Sequence, residues 1–336
     1  MMVMFFHFFQ NDHFNGNTLL WIQKLSFWGQ TGVSLFFVLS GFLITRILLH
    51  SKGDSHYFKN FFIRRSLRIF PLYFFYLILF YYLSPLLIHT RWSEFSDQWY
   101  YWFYLQDFSL TFHWPAFGPM HFWSLAIEEH FYLFWPLLVY FIPNRHLTKV
   151  ILLLLLIAPI CRYLLASHQY ETFYFTFARM DELALGAWLA LLEQEGKLTA
   201  ALKNYFLSAL ILVGALTVFL WTQFFGEKAL WIQVVKYDLI AIIYFLVIGL
   251  ILIIPTSNIV SRFLSHRIMV FIGSISYGLY VYHAITFPVV KRSFLSAYSL
   301  PVQFIAAYLF SFLVAWLSYI VMEKPIMSLK KKFQYS

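Results

Sequence analysis

The 336-residue chain has a single cysteine, Cys161. A lone thiol excludes an intramolecular disulfide and a cysteine-built metal centre, and no other metal site is read from the sequence. Its place in an apolar run marks it as a small buried residue. Charge is scarce too: Asp, Glu, Lys and Arg make up 12% of the residues, against roughly a quarter in a soluble domain. No Gly/Ser/Pro-rich linker divides the chain and no period of about 20–50 residues repeats. One membrane domain over residues 1–336, with no appended soluble domain, is therefore expected.

Apolar residues are abundant, at 61%. Runs of about 18 residues or more recur at 69–89, 204–224, 232–254 and 302–322, each long enough to cross hydrocarbon about 30 Å thick as a helix. Lipid offers no partner to a free backbone N–H or C=O, so helices are the natural conformation, and the runs are too uniform for barrel strands. The expected fold is an all-α membrane protein, a polytopic bundle of about ten transmembrane helices. Spans are placed near 1–11, 31–49, 69–89, 122–142, 149–166, 177–194, 204–224, 232–254, 268–288 and 302–322. The opening MMVMFFHFFQ is too short for a span and lacks the basic start of a signal peptide, so it reads as the second half of a helix or as an interfacial segment. The aromatic stretch 98–113, broken by Gln106 and Asp107, reads as interfacial or as a cavity wall rather than as a further span.

The net charge is +9. With the N-terminus in the cytoplasm, fifteen Lys/Arg fall on inside segments, among them Lys52, Arg64, Arg65, Arg68 and Lys330–Lys332. Five fall outside: Lys24, Arg91, Lys228, Lys291 and Arg292. That bias follows the positive-inside rule, so the basic balance reflects topology and no nucleic acid partner is expected. Both termini are placed in the cytoplasm.

Ionisable groups within apolar spans are costly and each marks a candidate site. His7, on the first helix, could take a proton from a hydroxyl, or could simply pack. In 121–136, His121, Ser124, Glu128 and Tyr132 fall at i, i+3, i+7 and i+11 on one helix face, with Glu129 roughly 100° away. Glu128 could orient an imidazolium, or could form a structural ion pair. Arg64, Arg65 and Arg68 sit at the mouth of a span, either as anchors or as forks for phosphate. Gly273, Ser276, Tyr280 and His283 form one stripe, and Gly273 and Gly278 permit close helix approach. Arg179 and Glu182, at i and i+3, could neutralise each other.

Taken in order, GVSLFFVLSGFLIT (32–45), RRSLRIFPLY (64–73), HFWSLAIEEHFYLFWP (121–136), the Arg179–Gly186 stretch, GSISYGLYVYH (273–283) and Glu323-Lys324-Pro325 resemble the acyltransferase family 3 membrane proteins of bacteria, over essentially the whole chain. The resemblance implies transfer of an acyl group, usually acetyl from acetyl-CoA as co-substrate, to a hydroxyl of an extracytoplasmic saccharide or glycolipid. Placement would be in the bacterial cytoplasmic membrane, among membrane lipid. It implies catalytic roles for His7 and Glu128 and acyl-CoA binding by Arg64, Arg65 and Arg68. Ser40, Ser124, Glu129, Arg179, Tyr277, Tyr280 and His283 would line the cavity or position substrate. Two departures stand out: the family's arginine upstream of the first-helix histidine would precede residue 1, and its frequent Asp after GV is Ser34 here. The competing readings are a transporter or flippase-like bundle, which would call for an inverted repeat that is not evident, and a truncated, inactive transferase.

Overall fold

The computed structural model describes residues 1–10, 17–88, 92–224 and 229–333. Arg91 and Lys228, counted above among the outside cations, lie outside them. The described residues form helices joined by turns and short irregular segments, without a strand. The main helices are α1 (Met2–Phe9), α2 (Thr31–His50), α3 (Tyr57–Ile78), α4 (Trp123–Phe141), α5 (Asn144–Ser167), α6 (Thr176–Gln194), α7 (Lys203–Phe224), α8 (Leu230–Ile253), α9 (Arg267–Arg292) and α10 (Leu300–Ser318).

Among the described residues, seven helical stretches are long and apolar enough to cross a membrane: Leu20–His50, Tyr57–Leu86, Asn144–Ser167, Ala200–Phe224, Leu230–Ile253, Arg267–Arg292 and Leu300–Lys332. The other three expected spans are helices that do not meet that standard. α1 has only 8 residues, and α4 and α6 have 19 each. α4 holds Glu128 and Glu129, and α6 holds Arg179, Asp181 and Glu182.

The polar helices α4 and α6 lie in the interior together with the apolar α2, whereas apolar helices such as α7 and α10 face outward. α6 is buried along most of its length, whereas on α7 only Thr217 is buried and Ile211 and Leu212 are largely exposed. An apolar exterior suits lipid, where the packing of small residues rather than water exclusion brings helices together. At the α2–α6 crossing the fit depends on two glycines. A Cβ on Gly41 would lie 2.0 Å from the Leu183 carbonyl oxygen, and one on Gly186 would lie 1.9 Å from that of Val38. On α9, Gly278 faces Ala315 and Glu323, but Gly273 meets nothing within 4 Å. Only one of the two α9 glycines expected to permit close approach does so.

Buried ion pairs brace the bundle. Arg162 on α5 donates to Asp181 on α6 at 2.9 Å and to Asp238 on α8 at 2.6 Å. The stretch 98–113 is not a further span, and it lines neither of the two cavities described below. Helices Phe95–Trp102 and Gln106–Thr111 pack inward, Tyr73 donates to the Tyr101 carbonyl at 2.6 Å, and Gln106 donates to that of Phe122 at 2.8 Å.

Candidate active site

Helix α1 is held by aromatic packing. Phe8 meets Phe287 and Phe304 edge-on at 5.6 and 5.1 Å between centroids, and Lys291 donates to the Phe8 carbonyl at 2.6 Å. That docking fixes the rotation of α1 and turns His7 toward α9. The His7 and His283 rings lie 4.9 Å apart, and His121, just before α4, lies 5.2 Å from His283 on another side. His7 and His121 both line a cavity of about 380 Å³, together with Gln10, Gln30, Tyr174 and Tyr280.

Hydrogen bonding sets the tautomers. A carbonyl oxygen can only accept, so His283 Nδ1, 2.6 Å from the Tyr280 carbonyl, carries a proton. Its Nε2 is left with the lone pair, and that buried atom has no partner among the described residues. By the same logic His121 Nε2 donates to the Val281 carbonyl at 3.2 Å. No group of three or more His, Cys, Asp or Glu among the described residues is arranged to share a metal ion.

From this cavity a polar path runs along α4 toward the other end of the bundle. Tyr280 donates to the His121 carbonyl and accepts from Ser124 at 2.6 Å. One turn on, the Tyr132 phenol donates to Glu128 at 2.6 Å and accepts from Ser40 at 2.6 Å. Arg65 lies over the Tyr132 ring at 5.1 Å. Ser124 to Tyr132 spans about 12 Å of helix rise. Glu129 is turned aside, and its buried Oε1 has no partner among the described residues. Tyr277, nearby, donates to the Ile69 carbonyl at 3.0 Å.

Three sequence expectations change. Glu128 makes no hydrogen bond or ion pair with a histidine among the described residues, because Tyr132, one turn away on the same helix, occupies it. The polar partner of His7 is Gln10, whose side-chain amide lies 3.2 Å from Nδ1. The α9 stripe is inward only in its second half: Ser276 is exposed, its hydroxyl satisfied by the Gly273 carbonyl at 2.8 Å. The three arginines also diverge. Arg64 donates to the carbonyls of Lys330 and Phe333 at 3.3 and 2.9 Å, and Arg65 covers Tyr132. Arg68 is exposed, with no hydrogen bond or ion pair among the described residues. Arg64 holds the Lys330 backbone, which brings Lys330 to the arginines' end of the bundle as a four-cation cluster.

Arg179 and Glu182 do neutralise each other, at 3.0 Å. Ser34 stands between them, donating to Glu182 at 3.1 Å and accepting from Arg179 at 3.2 Å. The family's Asp at that position would add a second acid beside Glu182, and the serine satisfies both partners without one. A further cluster carried no sequence signal: Thr176 donates to Asp107 at 2.6 Å and lies 2.7 Å from His130. Three residues far apart in the chain have no common spacing from which to read it. Gln10 was similarly unmarked, although i+3 from His7 on a helix was a legible neighbour.

A family model described as an acyltransferase domain matches residues 1–320. The chain is 29% identical over 331 residues to the peptidoglycan O-acetyltransferase OatA of Listeria monocytogenes. It is 28% identical over 328 residues to the O-acetyltransferase OatA of Staphylococcus aureus. These alignments cover 89% of this chain but 51% and 52% of the relatives, so the chain spans about half their length. No solved structure matches it. With motifs, helical architecture and a match over nearly its full length in agreement, this chain belongs to the acyltransferase family 3 membrane proteins.

Proposed function

We propose that this chain is a membrane-embedded O-acyltransferase that moves an acyl group, acetyl first, from acyl-CoA to a hydroxyl of an extracytoplasmic saccharide such as peptidoglycan. The observation that carries this reading is the polar path from the four-cation cluster, past Tyr132 and Glu128, to the cavity of His7 and His121. A donor with an anionic head and a long arm would set its head on that cluster and part these packed side chains to bring its arm to the cavity. Arg65, Arg68 and Lys330 would hold the phosphates, and the thioester would reach the histidines from the cytoplasmic side.

His7 is the proposed general base. The Gln10 amide carries oxygen and nitrogen on one fork, so a half-turn offers its oxygen to Nδ1–H and leaves the lone pair on Nε2. Nε2 then takes the proton of the acceptor hydroxyl as that oxygen bonds to the thioester carbon. The carbon–sulfur bond breaks, and the CoA thiolate leaves with the proton returned by His7. His283 abuts the His7 ring and would lend its uncommitted Nε2 to stabilise the protonated His7 in the transition state. Glu128 compensates the charge of Arg65 through Tyr132, rather than orienting the base.

The topology belongs to the same reading. α1, α4 and α6 are counted with the seven longer helices, giving ten spans in one membrane domain of the bacterial cytoplasmic membrane. The low hydropathy of α4 and α6 follows from polar residues turned inward, whereas α1 falls short in length alone. Both termini would then be cytoplasmic, in keeping with the convergence at one end of Arg46 with Glu193, Lys52 with Asn144, and Arg64 with the tail. A cysteine introduced into loop 255–267, with Cys161 replaced, should resist impermeant maleimide on intact cells. Labelling from outside would contradict the orientation.

The function is tested in proteoliposomes with radiolabelled acetyl-CoA and a soluble cell-wall saccharide. The reading expects label in an alkali-labile ester on the sugar. Absence of any acceptor-dependent turnover would contradict it.

A further inference from the structure

A second cavity, of about 580 Å³, opens beside the histidine cavity between the start of α2, the 171–174 turn, the end of α7 and the start of α8. Its size is within the roughly 300–1,000 Å³ common for small-ligand sites. The two cavities share Gln30, Phe173 and Tyr174 as a common wall, so a chain lying in one reaches His7 past those side chains. Aromatic faces dominate it: Trp28 and Trp221 sit 5.3 Å apart, with Trp231 and Tyr237 also in the lining.

Arg179 lines this cavity and is 1% exposed. Its Nη2 serves Ser34 and Glu182, but Nε and Nη1 have no hydrogen-bond partner among the described residues. Glu182 balances the charge without satisfying those two N–H groups. Buried N–H groups left without an acceptor are costly, so the site calls for oxygen acceptors. The guanidinium is otherwise enclosed by rings, with Tyr237 at 4.3 Å and Phe173 at 5.2 Å.

We propose that this cavity is the acceptor subsite and that a saccharide chain occupies it, an inference that rests on the O-acyltransferase reading above. A pyranose presents an apolar C–H face to an aromatic ring and a rim of oxygens to fixed donors. The tryptophan walls take the first and Arg179 takes the second. A lipid tail would match the rings alone and leave Arg179 unpaired. The neighbouring sugars lie against Trp221 and Trp231, and the reacting hydroxyl passes Gln30 and Tyr174 to reach His7.

The test uses full-length protein in nanodiscs and a soluble trimer of β-1,4-linked N-acetylglucosamine. Replacing Arg179 would strand Glu182 and endanger folding, so the variants are Trp231→Ala, at a half-exposed rim position, and Trp221→Phe. The trimer should quench tryptophan fluorescence saturably, and both variants should raise the acceptor KM, Trp231→Ala by roughly tenfold. The acetyl-CoA KM should stay unchanged. Transfer with an unaltered acceptor KM in both variants would overturn the subsite and leave the transferase reading standing. Saturable quenching that is lost in Trp231→Ala, without any transfer, would support a saccharide site and contradict the transferase reading. Quenching by brominated phospholipid but not by the trimer would make the cavity a lipid site and overturn the proposal.

Discussion

His7 on α1 and His283 midway along α9 hold their rings edge to face, with centroids 4.9 Å apart. Because Nδ1 of His283 is committed to the Tyr280 carbonyl, its unpartnered Nε2 is the group that distinguishes it from a packing ring. His283→Phe keeps an aromatic edge against His7 and removes that nitrogen. In this variant kcat should fall roughly tenfold or more, with both KM values nearly unchanged, a loss confined to the transition state. If kcat is retained, His283 is only a spacer.

The arginine cluster separates into two roles. Arg64 is spent on carbonyls of the C-terminal tail, whereas Arg68 is exposed and uncommitted among the described residues. Lysine keeps the charge but loses the bidentate fork. Arg68→Lys should therefore raise the acetyl-CoA KM about tenfold, the equivalent of about 1.4 kcal/mol. Arg64→Lys should spare that KM and instead make the tail more susceptible to protease. Equal and negligible effects on donor use from both variants would make the cluster a membrane anchor.

How much was legible depended on what the feature needed. Helix identity and the inward faces of α4 and α9 follow from spacing, because residues three and four apart share a face. Partnerships did not follow. Spacing tells that Glu128 is on the face of Ser124, but not that Tyr132 one turn away will claim its oxygen ahead of His7. Nor does it tell that Ser34 will stand between Arg179 and Glu182, since that depends on how α2 crosses α6. Ser276 went astray for a local reason: a helical hydroxyl can bond its own preceding carbonyl and so tolerate an outward position. The span count was blurred because α4 and α6 carry the polar residues of the site, which lowers the hydropathy that marks a crossing.

The α2–α6 crossing makes a stability prediction. A methyl group at Gly186 would overlap the Val38 carbonyl, so Gly186→Ala must separate the helices at a cost of about 1–3 kcal/mol or more. Its melting temperature in detergent should drop by several degrees, roughly 2–4 °C per kcal/mol for a chain of this order of size. Gly273→Ala, which meets open space, should melt like the parent. Identical melting of all three proteins would show that the crossing is looser than described.

In this mechanism everything turns on His7 as the base. The most direct measurement is acetyl transfer from labelled acetyl-CoA to saccharide by purified His7→Ala in proteoliposomes, beside the parent protein. Equal recovery and melting of the two would first establish that α1 remains docked through Phe8 and Phe9. Transfer should fall by about 10²-fold or more, the range for losing a general base, while acetyl-CoA binding persists. Near-parental turnover by the variant would contradict that role and reduce His7 to a packing residue.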